Sequence, residues 1–178
     1  MSEIPLVKTR MVGCAALGAA LLLSGCGFHP LYGSEGVGSE LGRTFADIYV
    51  EPIADYGVAN TGYELRNALI NLLDSNQGGR YRLKLTLTET TQGIALETDA
   101  SITRYNDTLT VNYTLTDSES GKVIKQGLET ALSAYNVASN PYSTLIAQQA
   151  ADKTAAQDMA ERLRLELGVF FDQRSVRG

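Results

Sequence analysis

The chain has 178 residues, with 15 Lys and Arg against 20 Asp and Glu, a formal charge of −5, one histidine and two cysteines. Such an acid excess argues against a general nucleic-acid binder, which needs a basic face to displace counterions from phosphates; a local basic patch stays open, and no nucleic-acid partner is expected. The lone histidine, His29, lies close to the start of the chain, which rules out Cys-His and Ser-His-Asp catalysis in the body of the protein; no catalytic residue is named and no enzyme is expected.

In chain order, Lys8 and Arg10 precede an apolar run over 11–23, which ends in Leu23-Ser24-Gly25-Cys26. A helix over these roughly 15 residues would reach about 22 Å, short of a hydrocarbon core of about 30 Å, so a cleaved signal fits better than a membrane span. Residues 1–25 are therefore expected to be a lipoprotein signal peptide. Cys26 then begins the mature chain and carries N-acyl and S-diacylglycerol lipid, with no other cofactor. The alternative is an ordinary secretory signal in which Cys26 is incidental. Cleavage would remove Cys14 and leave about 150 residues with no disulfide, which suits one domain stabilised by burial. No second long apolar run follows, so the body is expected to be anchored by lipid alone.

Residues 26–43 read as the lipidated terminus and a tether, because Gly and Ser dominate after Phe28-His29-Pro30-Leu31-Tyr32. A single domain is expected over 44–178. It opens with a strand over 44–53 containing Phe45, Ile48 and Val50 and closed by Pro52. A helix follows, capped by Asn60 or Thr61, with Glu64 at capping-box distance and Leu65, Leu69, Leu72 and Leu73 on one stripe. The 76–79 segment, Asn-Gln-Gly-Gly, is expected to stop it.

Over 80–88 the pattern becomes strict alternation, with Tyr81, Leu83, Leu85 and Leu87 on one side and Arg82, Lys84, Thr86 and Thr88 on the other. A second alternating strand holds Leu109, Val111, Tyr113 and Leu115. Residues 117–121 carry turn chemistry, and 122–135 read as the returning strand. The 89–103 segment extends both strands around a bend near 97–99. A final helix is expected over 141–167, with Asn140 as cap, Pro141 in its first turn, and Leu145, Ile146, Met159, Ala160, Leu163 and Leu167 on its apolar side. The order βαβββα predicts an α+β two-layer sandwich with two helices on one face of a four-stranded sheet, leaving the other face polar and open to a partner.

Candidate sites are few. The acidic residues are dispersed, Asp117 and Glu119 read as turn solvation, and no metal site is expected. Gly78-Gly79 precedes a strand and so does not cradle phosphate. Arg104, before the second alternating strand, could meet an anionic phosphate or simply solvate an edge. Arg80, Arg82 and Lys84 share one side of a strand, either as an anion-facing stripe or as ordinary solvation.

Gly25-Cys26-Gly27-Phe28-His29-Pro30-Leu31-Tyr32-Gly33, the Glu64–Leu69 helix segment, Thr103-Arg104-Tyr105, Ser133-Ala134-Tyr135-Asn136 and an Ala-rich last helix with Arg162 together resemble the LPS-assembly lipoprotein family, LptE or rare lipoprotein B, in its alphaproteobacterial branch. The resemblance implies a lipid-anchored protein in the periplasmic leaflet of the outer membrane that plugs and helps assemble the β-barrel LptD and so supports lipopolysaccharide transport to the cell surface. It also implies two helices on a four-stranded sheet. Gly27 after Cys26 suits release to the outer membrane, and Phe28, Leu31 and Tyr32 would lie against the membrane or the barrel. Some members bind lipopolysaccharide through basic residues near strand ends. Here 97–99 read Glu-Thr-Asp, so Arg104, with Arg82 and Lys84, stands as the candidate set. Two alternatives come from other classes. One is an outer-membrane activator of a cell-wall synthase, which the reach of about 55 Å available to 27–42 disfavours. The other is a periplasmic lipid carrier, which would need an apolar cavity that the Leu-rich faces leave no room for.

Overall fold

The computed structural model describes residues 37–53, 59–95 and 102–176, so Cys26, Phe28, Leu31 and Tyr32 lie outside the described residues. Its elements are α1 (Val37–Ala46), β1 (Ile48–Val50), α2 (Ala59–Leu73), β2 (Tyr81–Ala95), β3 (Ile102–Asp117), β4 (Val123–Asn136) and α3 (Pro141–Ser175). The four strands form one mixed sheet in the order β1-β2-β3-β4, with β1 parallel to β2 and the other pairs antiparallel. The α+β architecture and the four-stranded sheet agree with the sequence pattern; a third helix is added at the front.

That helix corrects two expectations. Residues 37–42, read as tether, and 44–46, read as strand, belong to α1. Leu41 and Phe45 stand four apart, so a helix buries both on one stripe, and both enter the core. Only Ile48–Val50 remains as strand, with Ile48 and Val50 buried and Tyr49 between them facing the other way.

The Ala46-Asp47-Ile48 corner is held by the loop after α2. The Asn76 side-chain amide donates to the Ala46 carbonyl at 2.6 Å, the Ser75 hydroxyl to the Ile48 carbonyl at 2.6 Å, and the Tyr81 amide to the Asp47 carbonyl at 2.9 Å. The stop of α2 also differs from expectation. Asp74 itself takes the left-handed conformation at φ 51°, and the Ser75 amide returns to the Ile70 carbonyl, so the helix closes two residues before Asn76. At the other end α2 begins at Ala59, which places Asn60 and Thr61 inside it rather than at its cap. The Thr61 hydroxyl reaches Glu89 instead of the helix backbone.

Strands β2 and β3 pair from Tyr81↔Asp117 to Ala95↔Ile102, the long hairpin expected; its bend lies outside the described residues. The 117–121 turn is built on Asp117, whose Oδ1 accepts from the Glu119 and Ser120 amides and the Ser120 hydroxyl, while Arg80 donates to Oδ2 at 3.0 Å. These bonds, led by those from Ser120, hold the Asp117 carboxyl below the usual carboxylate range. Gly121 finishes the turn at φ 67°. Opposite Tyr113 in β4 stands Gly127, and the buried ring lies over it; a Cβ there would meet the Tyr113 Oη at 2.6 Å. The Tyr113 hydroxyl and Lys125 both donate to Glu166 of α3, at 3.5 and 3.0 Å.

Asn140 caps α3 as expected, accepting from the Tyr142 amide. The helix then runs beyond Leu167 and through Gly168 to Ser175, because Phe171 continues the buried stripe of Met159, Leu163 and Leu167 and packs on Tyr81 with ring centroids 5.1 Å apart. Leu145 and Ile146, expected on the apolar side, are exposed; the buried part of α3 starts at Ala151. No described helix is long and apolar enough to cross a membrane.

Candidate functional site

All three helices contribute to the core that covers the side of the sheet carrying Leu83, Leu85, Leu109, Val111 and Leu115. Among the described residues, nothing covers the opposite side. Its register rows are Lys84–Thr114–Gln126, Thr86–Asn112–Leu128, Thr88–Thr110–Thr130 and Thr90–Thr108–Leu132. Hydroxyl and methyl groups of threonine therefore alternate across a flat surface, and on the β4 side Leu128 and Leu132 stand 59% and 70% exposed. An exposed leucine pair beside a threonine field suits contact with a partner, since such side chains lose little entropy and leave few charges to desolvate.

The three candidate cations lie in two places on the sheet. Arg82 sits near β1, where it pairs with Glu51 at 3.5 Å and lies over the Tyr49 ring at 5.6 Å. Lys84 is its exposed neighbour on the same side of β2. Arg104 pairs in register with Ile94, ten residues beyond Lys84, and its Nε donates to Asn106 at 3.3 Å. At about 3.4 Å per residue this separates Arg104 from Lys84 by about 34 Å along the sheet. Arg80 is committed to the 117–121 turn through Asp117 and Glu119.

Two of the sequence segments used for the resemblance meet in space. Arg104 and Tyr105 pair with Asn136 and Tyr135, the two tyrosine rings stack at 5.3 Å, and the Val137 amide bonds the Thr103 carbonyl. A groove of about 470 Å³ lies between this end of β4 and α3, lined by Ser133, Tyr135, Ala147, Ala150, Ala151 and Thr154.

Beside that groove the fold brings together three acids that the sequence disperses. One carboxylate oxygen each from Glu89 of β2, Asp107 of β3 and Asp152 of α3 lies within 4.8 Å of the others. Asp107 is 2% exposed and Asp152 9%. Burial raises the Glu89 carboxyl, and it pushes Asp152 up to about 6, with the negative charges of Glu89 and Asp107 adding to the shift. Burial also raises the Tyr135 phenol nearby. The signal for this cluster was strand phase. Glu89 continues the odd-numbered buried series after Leu87, and Asp107 precedes Leu109 in the same parity. Asp152 stands three and four residues before Ala155 and Ala156, on the buried stripe of α3.

The cluster makes stability depend on pH. Asp152 binds its proton more tightly in the folded chain than at its ordinary value of 3.8, so its stabilising contribution is complete below pH 3.8 and is lost as pH rises through about 6. With divalent cations chelated, Asp152→Asn is expected to stabilise the protein at pH 7 by about 2 kcal/mol and to flatten this decline. Urea unfolding at pH 4, 5, 6 and 7 checks it; an unchanged pH slope in the variant would count against the assignment.

The LptE lipopolysaccharide-assembly family model matches residues 45–167, which spans every strand, the whole of α2 and α3 as far as Leu167. The chain belongs to the LptE family. The family is non-enzymatic, and membership places the chain in lipopolysaccharide assembly. A candidate lipoprotein from Caulobacter crescentus CB15 has a similar structure, with a TM-score of 0.63 at 23% identity, covering 76% of this chain and 97% of that one. The rare lipoprotein B of Shewanella oneidensis has a similar fold, with a TM-score of 0.54 at 10% identity, over 72% of this chain and 98% of its own. An uncharacterized protein of Rickettsia prowazekii (strain Madrid E) is 27% identical over 150 residues, covering 84% of this chain and 91% of that protein.

Proposed function

We propose that this LptE-family protein is anchored in the periplasmic leaflet of the outer membrane by lipid on Cys26 and acts as a plug and assembly factor for the LptD β-barrel. In that role it supports the passage of lipopolysaccharide to the cell surface. The observation that carries the reading is the family match over residues 45–167, which hold most of the core, joined to a sheet with one side left uncovered among the described residues. A plug inside a barrel needs a surface that is neither strongly charged nor fully apolar, because barrel lumens are polar. The threonine rows with Leu128 and Leu132 meet that description, and they are the surface assigned here to the barrel.

Phe28, Leu31 and Tyr32 follow Cys26 closely enough to lie at the acyl chains or the barrel wall. Arg104, Arg82 and Lys84 offer cations to lipopolysaccharide at two separate ends of the sheet, so any phosphate contact would be made at one end at a time. Depletion of the protein is expected to leave the barrel misassembled and lipopolysaccharide accumulating in the periplasm. Surface labelling of lipopolysaccharide after depletion tests this, and normal surface display would refute the role.

A further inference from the structure

We propose that Glu89, Asp107 and Asp152 form a binding site for a divalent cation of the Ca²⁺ type, clamping α3 onto β2 and β3. The three carboxylates come from separate elements and offer oxygens within 4.8 Å of one another. Ca²⁺ takes six to eight oxygens at about 2.3–2.6 Å, so two ligand oxygens on one ion stand up to about 5 Å apart, and the observed spacing needs no rearrangement. Oxygen-only ligation with no sulfur or imidazole selects a hard cation over zinc or copper.

A separate observation points to a ligand. Both oxygens of Asp107, which is 2% exposed, are buried with no hydrogen-bond donor, and Asp152 Oδ1 is in the same condition. A buried acceptor left unpaired costs about 1–3 kcal/mol, more when charged, and folded proteins seldom retain one without a partner. Ser133, paired with Asp107 across β3 and β4, adds a buried hydroxyl that also has no partner. The ion pairs among the described residues, Arg80 with Asp117 and Glu119, Arg82 with Glu51 and Lys125 with Glu166, bring no positive charge to the three acids. The groove beneath α3 reaches Ser133 and Ala151, next to Asp152, and gives an ion a way in.

Melting of the full mature chain in detergent, with EDTA or with Ca²⁺ added, tests the site at pH 7.5. With Ca²⁺ about a hundredfold above its Kd, the wild type should melt about 5–10 °C higher than in EDTA. Asp107→Asn and Asp152→Asn should each lose that shift while remaining folded by circular dichroism. Isothermal titration with CaCl₂ should give one site in the wild type and none in the variants. No melting shift and no heat in the wild type would overturn the proposal, as would equal shifts in the wild type and both variants.

Discussion

Gly79→Ala is expected to destabilise the protein by about 3 kcal/mol, at the upper end of what overpacking costs, and to detach β1 from the sheet. A Cβ at position 79 would fall within contact radius of the Asp47 carbonyl oxygen, 2.6 Å from its carbon and 3.1 Å from the Tyr49 nitrogen. The obstacles are backbone atoms and cannot rotate aside. The backbone also cannot retreat cheaply. The Asp47 carbonyl accepts the Tyr81 amide, the Asp47 amide donates to Arg43, and Ser75 and Asn76 grip the carbonyls on either side. Relief therefore requires breaking the corner, and with it the parallel register Ile48↔Tyr81 to Val50↔Leu83. Arg66 of α2, which donates to the Val50 carbonyl at 3.2 Å, would lose its acceptor as β1 moves. A fall in melting temperature of about 10 °C, with amide exchange of Ile48 and Val50 faster than that of β3, would confirm it. A variant melting within 2 °C of the wild type would show that the corner yields more easily than this geometry allows.

The second large effect is expected on partner binding rather than on folding. Thr110 stands in the middle of the uncovered side, paired with Thr88 and Thr130, and Leu132 stands near its β4 edge. Thr110→Arg raises a long charged side chain from a flat surface, and Leu132→Asp places a charge where contact would have to strip its water. Both positions point away from the core, so the folding stability should change by no more than about 1 kcal/mol. If this side meets the barrel, each variant should lose at least about tenfold in partner capture, since disruption near the centre of an interface costs 1.4 kcal/mol or more. A quantitative pull-down from solubilised membranes, normalised to folded protein, reads this directly. Full capture by both variants would move the interface elsewhere on the molecule.

Parts of the fold were legible because one periodicity acted alone. In β2 and β3 the alternation from Tyr81 to Leu87 and from Leu109 to Leu115 admits one register with a buried side, and the observed pairing Leu83↔Leu115 and Leu87↔Val111 follows it. The last helix is legible from Asn140-Pro141 and its four-residue stripe, yet its end is not, because Phe171 joins the core only by packing on Tyr81 of a distant strand. The front of the domain is obscured for a related reason. Phe45 lies so close to Ile48 and Val50 that local pattern merges them into one strand, and only contact with the rest of the core separates the α1 stripe of Leu41 and Phe45 from it.

The acidic cluster was hidden by sequence distance. Glu89, Asp107 and Asp152 are each ordinary alone, and what marks them is that each occupies a phase reserved for apolar side chains. The basic candidates are separated by strand length: Arg82, Lys84 and Arg104 look like one set by residue type, whereas Arg82 and Lys84 stand at one end of the sheet and Arg104 at the other. The uncovered side was foreseen as polar and flat. Its exposed leucines were not, because β4 departs from clean alternation at Leu128 and Leu132.

In the role proposed above, this LptE-family protein works as the structural partner of an outer-membrane barrel. Its most direct test is to purify the tagged, lipidated protein from detergent-solubilised outer membrane and identify what accompanies it. The account predicts one large β-barrel protein in near-equal amount, resistant to salt; recovery of the protein alone, or with cell-wall synthases in place of a barrel, would contradict it.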